Sequence, residues 1–220
     1  MRFTIITIFP ELLESVFSTS ILKRAIEDQK IQVDFVNPRD FATDKHKTVD
    51  DTPYGGGAGM VMKVDAVARA IQSVERGERS RVLMMSAKGQ RFTQPVAHSL
   101  AEDLNHLILV CGRYEGIDER IMNYIDGELS IGDFVLTGGE LGAAVVVDAV
   151  ARLLPGVLGD DYSSVEESHS EEGYLEYPQY TRPVEFDGYA VPDVLLSGNH
   201  QAIEDWRKEH SSTYKEKYED

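Results

Sequence analysis

The residues able to do chemistry are concentrated in three short segments. In Pro53–Met60, four of five consecutive positions are glycine (Gly55, Gly56, Gly57 and Gly59). A backbone without Cβ can lie against a ligand and adopt positive φ. Tyr54 heads this loop, with Asp50 just before it. Upstream, Arg39, Lys45, His46 and Lys47 form the one clear basic cluster of an acidic chain, a composition suited to phosphate oxygens. Glycine density alone leaves a flexible turn and a ligand-facing loop evenly matched. The basic cluster favours a loop against a nucleotide or a partner subunit.

The second segment, Cys111–Arg120, begins where a strongly apolar run, Leu107–Cys111, ends. In open parallel sheets, ligands sit beyond the carboxyl ends of strands. The segment lacks the Lys-Ser/Thr ending of a phosphate loop and the glycine spacing of a dinucleotide fingerprint. Arg113, Tyr114 and Glu115 between Gly112 and Gly116 make a charged ligand loop; the plain alternative is an Arg113–Glu115 ion pair. The third segment, Ser130–Glu140, places an apolar stretch between Gly132 and Gly138-Gly139. Its backbone amides can hold an adenine edge while apolar side chains cover the ring. The glycine pair opens a helix, whose free amides can receive a polar group. The six histidines are scattered without metal-ligand spacing, and no nucleophile motif is present.

These loops need strands and helices to hold them. Phe3–Phe9, Ile31–Val36, Val82–Met85 and Leu107–Cys111 read as strands, and Leu129–Leu136 as an extended segment. Glu11–Phe17, Ser20–Gln29, Val64–Glu75, Gln94–Asp103, Ile117–Ile125 and Glu140–Leu154 read as helices. Asn37–Gly59 is a long functional loop. Strands alternating with helices give an α/β fold with a mainly parallel sheet. Gly159–Pro178, with seven acidic residues and no Lys or Arg, reads as a solvated linker. A small piece follows, with a terminal helix from about Gln201.

A chain of 220 residues can bury one good-sized core with a small appendage. The single cysteine excludes an internal disulfide and suits a reducing compartment. Met1–Pro10 reads as a strand rather than a signal peptide, and no apolar run is long enough to span a membrane. The expectation is a cytoplasmic protein without membrane association. The net charge of −16 argues against a nucleic-acid partner unless a local basic patch overrides it.

Taken together, the segments resemble the bacterial tRNA (guanine-N1)-methyltransferase family of the SPOUT superfamily. The resemblance runs over nearly the whole chain. It rests on Ile8-Phe9-Pro10, Pro38–Phe41, Thr48–Asp51, Tyr54–Met60, Val110–Arg120, Ser130–Glu140, Pro155–Gly159, Tyr177–Pro183 and Val194–His200. It implies a deep trefoil knot in the C-terminal half of the sheet, which nothing in composition or periodicity foretells. It also implies three parts: a knotted cofactor-binding domain at 1–158, an acidic linker at 159–178 and a small, shortened tRNA-binding domain at 179–220.

The implied activity is methylation, at N1, of the guanosine just 3′ of the anticodon in tRNA. S-adenosylmethionine (SAM) would be the methyl donor, with Mg2+ a further candidate cofactor. The implied partners are the tRNA anticodon stem-loop and a second copy of the chain, with active sites shared between subunits. By position, Met84, Met85, Ser86, Gly112, Ser130, Ile131, Gly132, Asp133, Phe134, Val135, Leu136, Gly138 and Gly139 would bind the cofactor. Arg39, Lys45, His46, Asp50, Tyr54, Gly55, Gly59, Arg113, Tyr114, Ser168 and Arg182 would meet the RNA. Glu167 stands where the family has its aspartate general base, with Glu166 a second candidate. Arg152 matches the catalytic arginine, and Glu115 would approach the cofactor or target base. Ala87 and Gly142 replace family prolines, and the C-terminal region is shorter and more acidic than usual. Two other readings stay open: a SAM- or RNA-binding relative with little catalysis, and a knotted methyltransferase with another RNA target.

Overall fold

The computed structural model describes residues 1–159, 167–171 and 173–213. They fall into two compact units, Met1–Asp161 and Tyr162–Asp220. The first unit runs β1 (Arg2–Ile6), α1 (Glu14–Phe17), α2 (Ser20–Glu27), β2 (Gln32–Val36), β3 (Asp50–Asp51), β4 (Val61–Met62), α3 (Val64–Gln72), β5 (Ser80–Arg91), α4 (Gln94–Asp103), β6 (His106–Cys111), β7 (Gly127–Ser130) and α5 (Glu140–Ala151). Five strands form one parallel sheet in the order β2-β1-β6-β5-β7. The expected α/β class with a parallel sheet is what the chain adopts.

Side-chain alternation along the strands feeds two separate cores. Phe3, Ile5, Leu107 and Leu109 face one way and pack with Phe17, Leu22, Leu100 and Val147 from α1, α2, α4 and α5. Ile6, Val82, Ile108 and Val110 face the other way, onto Val67, Ala70 and Ile71 of α3. Strand β6 is buried at every position, the pattern of a central parallel strand covered on both faces. Fully burying a side chain such as Leu107, Ile108 or Leu109 is worth about 1.5–3 kcal/mol, so β6 anchors the loop at its end. At the opposite end, buried His106 shares a 2.8 Å hydrogen bond with Thr4 Oγ1. Burial pushes its pKa down, helped by nearby Arg2.

Three expectations are corrected. Ile117–Ile125 is not an α-helix; only Glu119–Asn123 turns, as a 3-10 segment. The preceding residues are committed to β4: Met62 donates to the Gly116 carbonyl at 2.9 Å, and Asp118 donates to that of Met62 at 3.0 Å. Leu129–Leu136 is not extended throughout. The strand stops at Ser130, whose hydroxyl accepts from Gly132 N at 3.3 Å, and Gly132 adopts φ +152°. Strand β5 does not end at Met85 but continues to Arg91 past an irregularity, pairing again with β7 through Gln90 and Arg91. Gly89 permits this second pairing, because a Cβ there would come within 2.5 Å of the Glu128 backbone.

In the second unit, β8 (Tyr174–Leu175) pairs with β11 (Ser212–Thr213), and β9 (Glu185–Phe186) with β10 (Tyr189–Ala190). Helices α6 (Asp193–Leu196) and α7 (His200–His210) complete it. Trp206 stacks on His210 and meets Tyr180 edge-on, and the Arg207 guanidinium lies over Tyr177. Asn199 caps α7 by accepting from Ala202 N. Glu166 lies outside the described residues.

Candidate active site

Strands β6 and β7 end on a common edge, where β5 breaks its regular pairing between Met85 and Gln90, and the segments there enclose a cavity of about 480 Å3. That volume lies within the range of small-molecule sites. Its walls are Met84–Lys88 from β5, Gly112–Ile117 and Glu119 from the loop after β6, and Glu128–Gly132 with Phe134–Gly139 from β7 and the turn after it. Two of the three chemistry-bearing segments therefore converge on one cavity. Phe134, Val135 and Leu136 are exposed apolar side chains on its rim. Every residue expected to hold a cofactor lines this cavity except Asp133, whose exposed carboxylate pairs with Arg91 at 2.6 Å.

The cavity exists because glycine backbones pack where side chains would not fit. A Cβ on Gly139 would stand 2.8 Å from Cys111 Cα and 3.0 Å from Met85 Cβ; one on Gly142 would stand 2.9 Å from Met85 Cε. Gly139 N donates to the Gly112 carbonyl at 3.0 Å, tying the turn before α5 to the end of β6. Glu128 contributes a buried carboxylate oxygen with no hydrogen-bond partner among the described residues. The fully buried Cys111 thiol is pushed well above its ordinary pKa by burial, reinforced by Glu140, which disqualifies it as a nucleophile.

The glycine-rich Tyr54–Met60 loop joins this site through β4. Glu115 N donates to the Met60 carbonyl at 2.9 Å, and Glu115's side chain lies directly on Gly59, so closely that a Cβ at that position would collide with its carboxylate. Glu115, Tyr114 and Arg113 all line the cavity. The Arg113–Glu115 pairing considered from sequence does not form. Arg113 instead contacts Glu140, with Nε 3.1 Å from Oε1 and 3.0 Å from Oε2.

The basic cluster is looser. Lys47 pairs with Asp40 at 3.0 Å, and Arg39 reaches the Lys47 carbonyl at 3.4 Å. Lys45 and His46 are exposed on a turn shaped by Asp44. The Asp44 carboxylate accepts from Thr48 Oγ1, Thr48 N and His46 N, and its pKa is lowered chiefly by the Thr48 hydroxyl. Asp50 sits in β3, and Tyr54 is fully exposed. Gly55 has φ +87° and faces open space. Arg152 caps the end of α5 in the first unit. Glu167, Ser168 and Arg182 belong to the second. There, Ser170 N donates to the Glu167 carbonyl, Ser168 Oγ accepts from Glu176 N at 3.0 Å, and Arg182 is exposed.

Sequence reasoning did not single out Lys88, Ile117, Glu119, Glu128 or Thr137, all on the cavity wall, nor Thr7 and Glu140 beneath it. Lys88 and Glu119 approach to 3.3 Å, a contact thirty-one residues apart in sequence that no local pattern announces. Among the described residues, no group of three or more His, Cys, Asp or Glu side chains could hold a metal ion, and no helix is long and apolar enough to cross a membrane.

Residues 1–219 match the family described as tRNA (guanine-1)-methyltransferase TrmD. A protein of Dictyoglomus turgidum is 53% identical over 211 residues, covering 96% of this chain and 85% of its own length. One of Geobacillus kaustophilus is 53% identical over 213 residues, covering 96% and 86%. One of Geotalea uraniireducens is 54% identical over 213 residues, covering 96% and 85%. All three are named tRNA (guanine-N(1)-)-methyltransferase.

Proposed function

Since the chain belongs to the tRNA (guanine-1)-methyltransferase family, we propose that it methylates N1 of the guanosine just 3′ of the anticodon in tRNA, with SAM as donor. The observation that carries the cofactor assignment is the glycine-built cavity at the ends of β6 and β7 and the irregularity of β5. The residues present fit SAM. Ile131, Phe134, Val135 and Leu136 offer apolar cover for an adenine, and Gly138 and Gly139 offer backbone approach. Glu128 presents a carboxylate oxygen, without a hydrogen-bond partner among the described residues, for a hydroxyl or ammonium donor. When bound, SAM supplies an electrophilic methyl on a sulfonium, whose departure needs in-line alignment rather than a covalent enzyme intermediate.

Guanine N1 carries a proton and attacks only once that proton leaves. Glu167 is the general base that removes it, in the place of the family's aspartate. As charge shifts toward O6, Arg152 stabilises it. Glu115, poised between the cavity and the Gly59 loop, orients the target base. The base enters the site unstacked from the anticodon loop, with Tyr54, Gly55, Asp50 and Tyr114 around it and Ser168 of the partner subunit completing the enclosure. Arg39, Lys45, His46 and Arg182 hold loop phosphates. Backbone wrapping supports a trefoil knot: β7 lies directly against Gly89 of β5, and the turn after β7 bonds back to Gly112 before α5 begins.

The chain acts as a homodimer, and each pocket receives Glu167 of the partner subunit from the linker ahead of a small tRNA-binding domain. Exposed Leu141 and Val145, one turn apart on α5, support an apolar subunit contact. The reaction belongs in the cytoplasm, with its tRNA. Mg2+ is a candidate second cofactor, and titrating the ion against turnover decides its part. The test is methyl transfer from radiolabelled SAM to an unmodified tRNA transcript. Wild-type protein labels the transcript, and replacing the target guanosine abolishes labelling. Glu167→Gln lowers kcat by about a hundredfold or more while leaving SAM affinity intact. Undiminished turnover in Glu167→Gln refutes the base assignment.

A further inference from the structure

One charged group below the cavity has no role in the chemistry above. Glu140, the first residue of α5, is 1% exposed. A carboxylate withdrawn from water is expensive unless it is paired and hydrogen-bonded. The partners here come from far away in sequence. Thr7 Oγ1, just past β1, donates to Glu140 Oε1 at 2.7 Å, and the same hydroxyl accepts from Phe9 N at 3.0 Å. Arg113 Nε is the second donor, 3.1 Å from Oε1; Oε2 lies 3.0 Å from the same nitrogen as an ion pair and has no hydrogen-bond partner among the described residues. The helix N-terminus adds its own attraction for the anion.

Arg113 is equally committed. Its guanidinium lies over the Phe9 ring, 4.9 Å from the centroid. Nη1 donates to the Thr137 carbonyl at 3.3 Å. Its backbone N contacts Met62 Sδ at 3.3 Å. Gly138 passes so close beneath Arg113 Nε that any Cβ there would collide with it. One guanidinium thus bridges the loop after β6, the turn before α5 and the end of β1, and its side chain is only 18% exposed.

We infer that Glu140, steadied by Thr7, is a positioning residue: through Arg113 it fixes the two loops that form facing walls of the cavity. Arg113 accordingly serves the cofactor wall rather than RNA phosphate. Its Nε and Nη1 are engaged by a buried carboxylate and a carbonyl, and its largely buried side chain is poorly placed to reach a phosphate in solvent. The Gly139–Gly112 backbone bond also joins the two loops, at the glycine pair; Arg113 joins them through side chains on either side of it.

The inference rests on the cavity being the SAM site. Its test measures SAM Kd calorimetrically on the full chain, alongside kcat, KM for tRNA and the melting curve, for wild type, Glu140→Gln, Glu140→Asp, Thr7→Val and Arg113→Lys. Removing the charge of Glu140 is expected to weaken SAM binding by roughly tenfold to a hundredfold, the scale of an ångström of misplacement. The KM for tRNA should change less than the SAM Kd, because the phosphate contacts are assigned to Arg39, Lys45 and His46, outside the loop that Arg113 holds. Glu140→Asp should recover part of the loss, which lowered stability alone does not explain. Arg113→Lys should repeat the Glu140→Gln pattern, with the two effects less than additive in the double variant.

Thr7→Val keeps both charges and carries the test if Glu140→Gln fails to fold; its SAM Kd should rise by a few-fold, roughly the effect of one lost buried hydrogen bond. Unchanged SAM Kd in folded Glu140→Gln or in Thr7→Val overturns the inference. So does a raised KM for tRNA in Arg113→Lys with SAM Kd unaffected, since Arg113 would then be an RNA contact. Absence of SAM binding to the wild type itself refutes the cofactor site, a different failure.

Discussion

Gly55–Gly59 and Gly138–Gly142 look alike as glycine-dense strings, yet glycine serves opposite purposes in them. At Gly55 and Gly56 a Cβ would meet nothing within 4 Å, but φ is +87° and +78°. There the residue is demanded by backbone conformation. Gly139 has an ordinary φ of −79°, but a Cβ would press on Cys111 and Met85. There glycine is demanded by space. The first string is an open loop beside exposed Tyr54, and the second is the inner lining of the cavity. Glycine content alone therefore marks ligand loops without saying which of them is built to enclose and which to reach.

Gly139→Ala should have the largest effect. It overpacks a backbone-to-backbone contact, a strain of about 1–3 kcal/mol, and should raise the SAM Kd on the order of a hundredfold, read by calorimetry with a parallel melting curve. Gly56→Ala is the counterpart. It should leave the SAM Kd within about twofold while raising the KM for tRNA, because the loop must leave a left-handed conformation worth about 1–2 kcal/mol. Equal loss of SAM affinity in both variants would erase the distinction between the two strings.

Lys45→Ala extends the comparison to the basic turn beside the open loop. The KM for tRNA should rise by a few-fold and the salt dependence of binding should fall by about one unit of slope. SAM affinity should not move. A change in SAM affinity without any change in salt slope would detach Lys45 from phosphate.

The smallest effect should be shared by both regions, because it acts on the sheet beneath them. His106 is buried neutral against Thr4, and burial lowers its folded pKa below the usual 6.5. The unfolded chain therefore takes up the proton first as pH falls. The contribution to stability is complete above about pH 6.5 and is lost as pH drops through the lower folded value. The melting temperature should decline on that acidic side, and His106→Gln should flatten the decline.

The strands were legible in sequence because a fully covered parallel strand is a continuous apolar run, as His106–Cys111 is. The cavity wall was legible because glycine-bracketed loops follow such runs. What was not legible depends on partners distant in the chain. Residues 116–118 lost a helix to pairing with Met62. Strand β5 extended to Arg91 only because β7 pairs with it twice. Glu140 directly follows the glycine pair at a helix start, where an acidic residue is unremarkable, and its partners Arg113 and Thr7 lie 27 and 133 residues away. Arg113 and Glu115, neighbours in the same short loop, invited a pairing that geometry gave to Glu140 instead.

The most direct measurement is mass mapping of the nucleoside methylated in a defined, unmodified tRNA transcript by the wild-type protein with SAM. The expected product is 1-methylguanosine at the residue just 3′ of the anticodon, much reduced in Gly139→Ala at SAM concentrations near the wild-type Kd. A methyl group on another nucleoside or at another ring position, or SAM bound without any transfer, would contradict the proposed function.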